Sequence, residues 1–220
     1  MELLSPAGNY KAFIGAINAG CDAVYLGGSK FGARAYADNF SDEEIIRAIK
    51  VAHLHDVKIY LTVNTLIKER EYKEVCDYIR PFYEAGLDAC IVQDLGLISC
   101  FGTPFPNMEC HISTQGFSTS IESVKMYKEM GAKRVVLARE LSLDEIDYIK
   151  KNVDIELETF IHGAMCYSYS GQCLFSSCLG GRSGNRGRCA GPCRLPYSYL
   201  GNNKNSDALN EAFFLSMKDQ

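Results

Sequence analysis

A chain of 220 residues, 47% hydrophobic and 23% charged, can bury one sizeable core and is too apolar for a disordered segment. No run approaches the roughly 18 apolar residues of a membrane helix, and MELLSPAGN lacks the basic and apolar regions of a secretory leader, which points to the cytoplasm and to reduced thiols. The net charge of −4 hides a division: residues 159–206 carry Arg182, Arg186, Arg188, Arg194 and Lys204 and no Asp or Glu, a segment of +5 that leaves −9 elsewhere.

In chain order, short β-branched or apolar runs alternate with helix-period stretches, the grammar of βα units around a parallel sheet. The first strand is read at Glu2–Leu4, followed by a helix from about Asn9 to Ala19. Ala23–Leu26 comes next, then a Gly-rich loop and a helix opened by Ser41-Asp42-Glu43-Glu44, with Ser41 as N-cap and Glu44 three residues on. Lys58–Val63, Ala89–Val92, Glu109–Ser113, Arg134–Leu137 and Ile155–Phe160 read as five further strands. Helices near 70–85, 119–130 and 142–151 separate most of them, with a shorter one after Asp94. The phrases AGCDAVYLG, AGLDACIVQ and GAKRVVLAR repeat one pattern, a glycine closing a helix before a buried strand.

Seven strands at these spacings predict an α/β fold of the TIM-barrel, (β/α)8, type over residues 1–161, with a Cys- and Arg-rich segment over 162–220. A doubly wound open sheet is the alternative, but no strand is followed by G-x-G-x-x-G. A closed barrel wants eight strands, and the polar stretch GNNKNSDALN offers no eighth βα unit. The expectation is a fragment of a longer protein. In a barrel, function gathers at the C-terminal ends of the strands. Polar residues expected there include Asn64, Gln93, Asp94, His111, Gln115, Arg139, Glu140, Glu158 and His162, each of which could equally cap a helix or satisfy loop backbone.

Five of the ten cysteines, Cys166, Cys173, Cys178, Cys189 and Cys193, fall in the cationic stretch that follows the seventh strand. Thiols with cationic neighbours and no competing carboxylates suit a soft metal. The spacing Cys166-x6-Cys173-x15-Cys189-x3-Cys193 lacks the paired tight knuckles of structural zinc, which favours an iron–sulfur site while leaving zinc open. The arginines could engage an anionic polymer such as RNA or brace an anionic cluster.

The run ETFIHGAMCYSYSGQCLFS (158–176), together with MELLSPAGN, AVYLGG, FGARAYADNF and RSGNRGRCAGPCRLPY, resembles the signature of the collagenase-like peptidase family U32 from Met1 to about Tyr199. The resemblance implies a barrel with a 4Fe–4S cluster. Cys166, Cys173 and Cys189 match its first three ligands, and Cys193 is the nearest substitute for a fourth that lies beyond Gln220. It also implies oxygen-independent hydroxylation at C5 of pyrimidines in transfer or ribosomal RNA, with prephenate as oxygen donor. A sister branch hydroxylates ubiquinone precursors. On this reading Arg182, Arg186, Arg188 and Arg194 would meet phosphates, and Arg34 and Arg139 would grip a dicarboxylate donor, since guanidinium pairs bidentately with carboxylate. The competing reading is a peptidase, for which the chain shows no H-E-x-x-H and no G-x-S-x-G, although a metal-bound water could serve.

Overall fold

The computed structural model describes residues 1–197 and 213–217. Lys204 and the polar stretch around it lie outside them. Seven strands form one parallel sheet in sequential order: β1 (Leu4–Ala7), β2 (Ala23–Gly27), β3 (Lys58–Val63), β4 (Ala89–Val92), β5 (Glu109–Ile112), β6 (Arg134–Val136) and β7 (Glu156–Glu158). Between them run α1 (Tyr10–Asn18), α2 (Asp42–His53), α3 (Tyr72–Glu84), α4 (Leu95–Cys100), α5 (Ile121–Glu129) and α6 (Leu143–Asn152), and α7 (Phe175–Gly180) follows the last strand. This is a TIM-like half-barrel. No eighth strand occurs among the described residues. Nor is any helix among them long and apolar enough to cross a membrane.

Local chemistry sets the helix starts. The Ser41 hydroxyl accepts the Glu44 N–H at 3.2 Å while Glu44 Oε2 accepts the Ser41 N–H at 2.9 Å, a reciprocal cap repeated by Ser142 and Glu145 at the start of α6. Asn9 caps α1 and Asp94 caps α4 through single side-chain bonds. Each helix lays an apolar stripe on the outer face of the sheet. Ile45, Ile49, Val75, Ile79 and Phe82 meet Val24, Leu26, Ile59, Leu61, Val63 and Val92 there, and these fully or nearly fully buried side chains form the main core.

The inner face has a different composition. Leu4, Ala23, Tyr25, Tyr60, Ala89 and Ile91 line it on the early strands. One register row runs Gly27, Thr62, Ile91, His111, Arg134, Glu156, so the lining turns from apolar to charged toward β7. Arg134, its side chain 8% exposed, donates to Glu2 at 2.5 Å and to Glu156 at 2.7 and 3.0 Å, and reaches Glu158 at 3.5 Å. Because Glu2 precedes β1, this ion network ties the first strand to the last two across the open side. The Tyr60 hydroxyl also donates to Glu2, at 2.9 Å, beneath the guanidinium.

β1 begins and ends later than the sequence suggests. Pro6 has no N–H to donate, yet an edge strand tolerates it, so the strand continues to Ala7 and Glu2 is left for the ion network. β7 is shorter than expected, and β5 stops at Ile112 because Ser113 caps a short turn over Thr114–Gly116. α7 lies in a Gly- and Ser-rich stretch without a clear helical period.

Candidate functional site

The segment after β7 lies across the C-terminal rim, held loop by loop. On the β2 side, the Ala35 N–H donates to the Gly187 carbonyl at 2.9 Å. Gly187 has φ +74°, and a Cβ there would stand 2.2 Å from the Gly32 carbonyl oxygen, so the close approach requires glycine. On the β3 and β4 sides, the Leu66 N–H and Gln93 Nε2 both donate to the Asn185 carbonyl, at 3.1 and 3.3 Å. Arg186 forms a two-point bridge to Glu71, 2.8 Å at each contact, and donates to the Leu66 carbonyl. On the β5 side, Gly171 (φ +72°) sits so close to Gln115 that a Cβ would be 2.1 Å from its carbonyl oxygen, and Tyr169 meets Phe117 with ring centroids 5.8 Å apart. After β6, Glu140 accepts both the N–H and the hydroxyl of Ser170 at 2.9 and 3.1 Å.

This seating gathers the thiols. Burial raises the Cys193 thiol pKa, and the neighbouring Cys166 and Cys189 sulfurs raise it further, opposed by Arg194. A Cβ on Gly184 would touch Cys189 Cβ at 3.7 Å and the Cys173 carbonyl at 3.9 Å, which puts Cys173 on the same turn. Arg139 donates to the Ala164 carbonyl at 2.8 Å and to Cys166 Sγ at 3.9 Å, while the Gly191 N–H donates to Cys189 Sγ at 3.3 Å. Arg194 donates to the Met165 carbonyl at 2.7 Å and to the Met217 carbonyl at 2.9 Å, joining the chain beside Cys166 to the chain beside Cys193. Cys178, on α7, is exposed, as Cys166 and Cys189 are. Among the described residues no three His, Cys, Asp or Glu side chains are already closed into a metal-holding group. The donor set itself, neighbouring thiols with N–H···S donors and no carboxylate between Thr159 and Ser206, fits a thiophilic centre.

The remaining expected residues fall into three groups. Asn64, Gln93, Asp94, Gln115, Arg139 and Glu140 do lie at the rim, but mostly as fasteners. Asn64 Oδ1 accepts the Ala33 N–H at 2.9 Å. Asp94 accepts from Leu97, Ile67 and the Tyr72 hydroxyl, at 3.0, 3.0 and 2.5 Å. His111 is a correction: strand alternation turns it inward, wholly buried, with Nε2 2.9 Å from Glu109 and its ring edge-on to Tyr60 at 4.7 Å. Its Nδ1 has no partner among the described residues, and burial lowers its pKa. Glu158 is inside the barrel, where burial raises its pKa against the pull of Arg134. His162 is exposed beyond β7. Arg186 and Arg194, expected on phosphate, are engaged within the fold; Arg182 and Arg188 are exposed.

Two residues missed in the sequence belong to the mouth. Tyr25 lies inside it: burial raises its phenol pKa, with the charge of Arg34 lowering it and that of Glu158 raising it, which places all three near one another. Tyr36, on the loop after β2, projects outward with Arg182 over its ring. Inward parity along β2 would have revealed Tyr25, whereas Tyr36 sits in the run FGARAYADNF with no local signal of which way it faces. Two surface hollows open at the opposite end, one among Lys58, Tyr83, Asp88 and Glu109, the other among Phe101, Phe105, Asn107 and Lys133.

The family model described as "Peptidase family U32" matches residues 8–220. The chain is 42% identical over 219 residues to the 23S rRNA 5-hydroxycytidine C2501 synthase of Escherichia coli (strain K12), covering 100% of this chain and 33% of that protein. It is 41% identical over 223 residues to tRNA hydroxylation protein P1 of Bacillus subtilis (strain 168), covering 99% of this chain and 53% of that one. The chain thus spans between a third and about half the length of these curated relatives. The solved structure of the U32 peptidase Mk0906 superposes with a TM-score of 0.63 at 15% identity, over 75% of this chain and 70% of that one, a likeness of fold.

Proposed function

Because this chain belongs to peptidase family U32, we propose that it carries the barrel and cofactor segment of an oxygen-independent RNA pyrimidine hydroxylase, acting at C5 of a uridine or cytidine in transfer or ribosomal RNA. The observation that carries the reading is the seating of a thiol-rich, carboxylate-free, cationic segment on the barrel rim, in a chain whose relatives are named for RNA hydroxylation. Cys166, Cys173 and Cys189, with Cys193 as the nearest fourth thiol, would hold a 4Fe–4S cluster, zinc being the alternative metal. Bound there, the cluster supplies redox or donor-activating chemistry.

The chain's own residues do the rest. The barrel mouth admits a base rotated out of its stack, because a base inside a duplex cannot present C5 to a buried pocket. Tyr25, Thr62 and Glu158 line the inner surface near Arg34, whose guanidinium suits one carboxylate of a dicarboxylate donor such as prephenate. Arg139, expected on the donor, binds the Cys166 loop and so acts on the thiols instead. Exposed Arg182 and Arg188 supply phosphate contacts.

The test is nucleoside mass spectrometry of total RNA from cells with and without the gene. Loss of a 5-hydroxypyrimidine supports the reading. An unchanged nucleoside profile with lost cleavage of a collagen-type substrate overturns it in favour of the peptidase reading that the family's name carries.

A further inference from the structure

We propose that Tyr36 and Arg182 form a stacking step on which the RNA rests an unpaired nucleobase adjacent to the one being modified. This deepens the RNA reading above and rests on it.

Tyr36 is 66% exposed, as open as Tyr169 at 64% on the same rim, and a guanidinium stands nearer to it than the one over exposed Phe160. The Arg182 guanidinium stands over it, 4.6 Å from the ring centroid, and Arg182 Nε is held by the Arg188 carbonyl at 3.1 Å. Both partners are fixed from beneath. Ala35, next to Tyr36, donates to Gly187, next to Arg188, at 2.9 Å, and the close approach of Gly187 to Gly32 locks the two loops together. A preformed aromatic–guanidinium pair is a platform that costs little further ordering when a base lies on it.

Its position gives it a role. Arg34, two residues before Tyr36, sends its charge toward Tyr25 inside the barrel, while Tyr36 faces outward. Cys189 follows Arg188 directly. The same short loop therefore stands between the barrel mouth, the thiol group and open solvent. A strand that rotates one pyrimidine into the mouth leaves its neighbour unstacked at this rim. With Arg182 on one face of the ring, the opposite π-face is left for an unstacked base, which binds such a face whatever its identity. The surroundings complement a phosphate backbone: Arg182 and Arg188 are exposed, the segment from 159 to 206 has no carboxylate, and Asp38 is the single acid on the loop between Gly28 and Phe40. A protein partner would be served better by a broad apolar patch than by one ring under a guanidinium.

The experiment is fluorescence anisotropy with the full chain and a 5′-fluorescein single-stranded pyrimidine 12-mer RNA, repeated across salt concentrations, for the natural sequence, Tyr36→Ala, Tyr36→Phe and Arg182→Ala. Loss of one stacked base weakens binding by about 5- to 150-fold, so Tyr36→Ala is expected to fall in that range with an unchanged log–log salt slope, because a tyrosine releases no counterion. Tyr36→Phe keeps the ring and is expected to bind within about twofold of the natural chain. Arg182→Ala is expected to weaken binding and flatten the slope by about 0.7. If the natural chain binds the RNA and Tyr36→Ala binds equally well, the step is overturned while the RNA reading stands. If Tyr36→Phe loses as much as Tyr36→Ala, the hydroxyl rather than the ring is responsible and the step is again overturned. If the natural chain does not retain the RNA at all, the underlying reading fails and the step fails with it. Tyr36 is exposed, and matching far-UV spectra of the variants exclude unfolding as the cause.

Discussion

Replacing Gly187 by alanine tests whether the cysteine segment is truly seated on the rim. The native φ of +74° costs a side-chain-bearing residue about 1–2 kcal/mol. The new Cβ would stand 2.2 Å from the Gly32 carbonyl oxygen, which is backbone and cannot swing aside. Moving the loops apart sacrifices the Ala35–Gly187 hydrogen bond, worth about 1 kcal/mol. Together these amount to about 2–4 kcal/mol against docking, or a rise of roughly 30- to 700-fold in the population with the segment lifted. The cost is local: none of the seven strands depends on it, so the urea midpoint of the barrel should hardly move. Amide hydrogen exchange provides the assay, with Ala35 and Leu66 as reporters because both donate into this segment. Gly191 supplies an internal comparison. Its φ is +64°, but a Cβ there meets nothing closer than Arg194 Cγ at 3.9 Å, so Gly191→Ala should show strain alone and a smaller effect. Equal exchange at Ala35 and Leu66 in Gly187→Ala and the natural chain would refute the reasoning.

Three further outcomes follow from the same geometry. Arg134→Met should lower unfolding free energy by about 2–4 kcal/mol in urea titrations, since it strands Glu2 and Glu158 while half-exposed Glu156 rehydrates; an unmoved midpoint would show that the network does not close the barrel. Burial holds the His111 pKa below its ordinary 6.5, so the unfolded chain binds the proton more tightly and stability should fall as pH drops through about 6.5. Glu158, raised by burial, contributes with the opposite sign, and His111→Phe isolates the histidine: urea titrations at pH 5.5 and 7.5 should differ less for the variant than for the natural chain. Arg139→Gln should weaken metal retention by about 10- to 100-fold, read from metal content after chelator challenge, because it frees both the Ala164 carbonyl and the Cys166 sulfur.

Much of the barrel was legible because its signals are local. Lys58–Val63 and Ala89–Val92 form strands within the bounds expected from their apolar runs, and Ser41 and Ser142 start helices through bonds that span three residues. β1 runs later than expected, through Pro6, because a sheet edge tolerates a residue with no N–H to donate. The site was legible in its materials and less so in its arrangement. Thiols, arginines and the missing carboxylates are visible in composition, but whether an arginine meets phosphate or a carbonyl depends on tertiary contacts. Arg186 binds Glu71, 115 residues away, and no pattern in the sequence links them. His111 shows a subtler failure: its place near a strand end suggested the rim, while its parity on the strand turned it into the barrel.

The central claim is that the thiols after β7 hold an inorganic cofactor over the barrel mouth. Its most direct test is iron and acid-labile sulfide analysis of protein purified without oxygen, on the natural chain and on Cys166→Ser. The expected result is iron and sulfide in equal amounts, near the ~4 and ~4 per chain of a 4Fe–4S cluster, with a sharp loss in the variant. Protein free of iron and sulfide, or a content indifferent to Cys166→Ser, would contradict it.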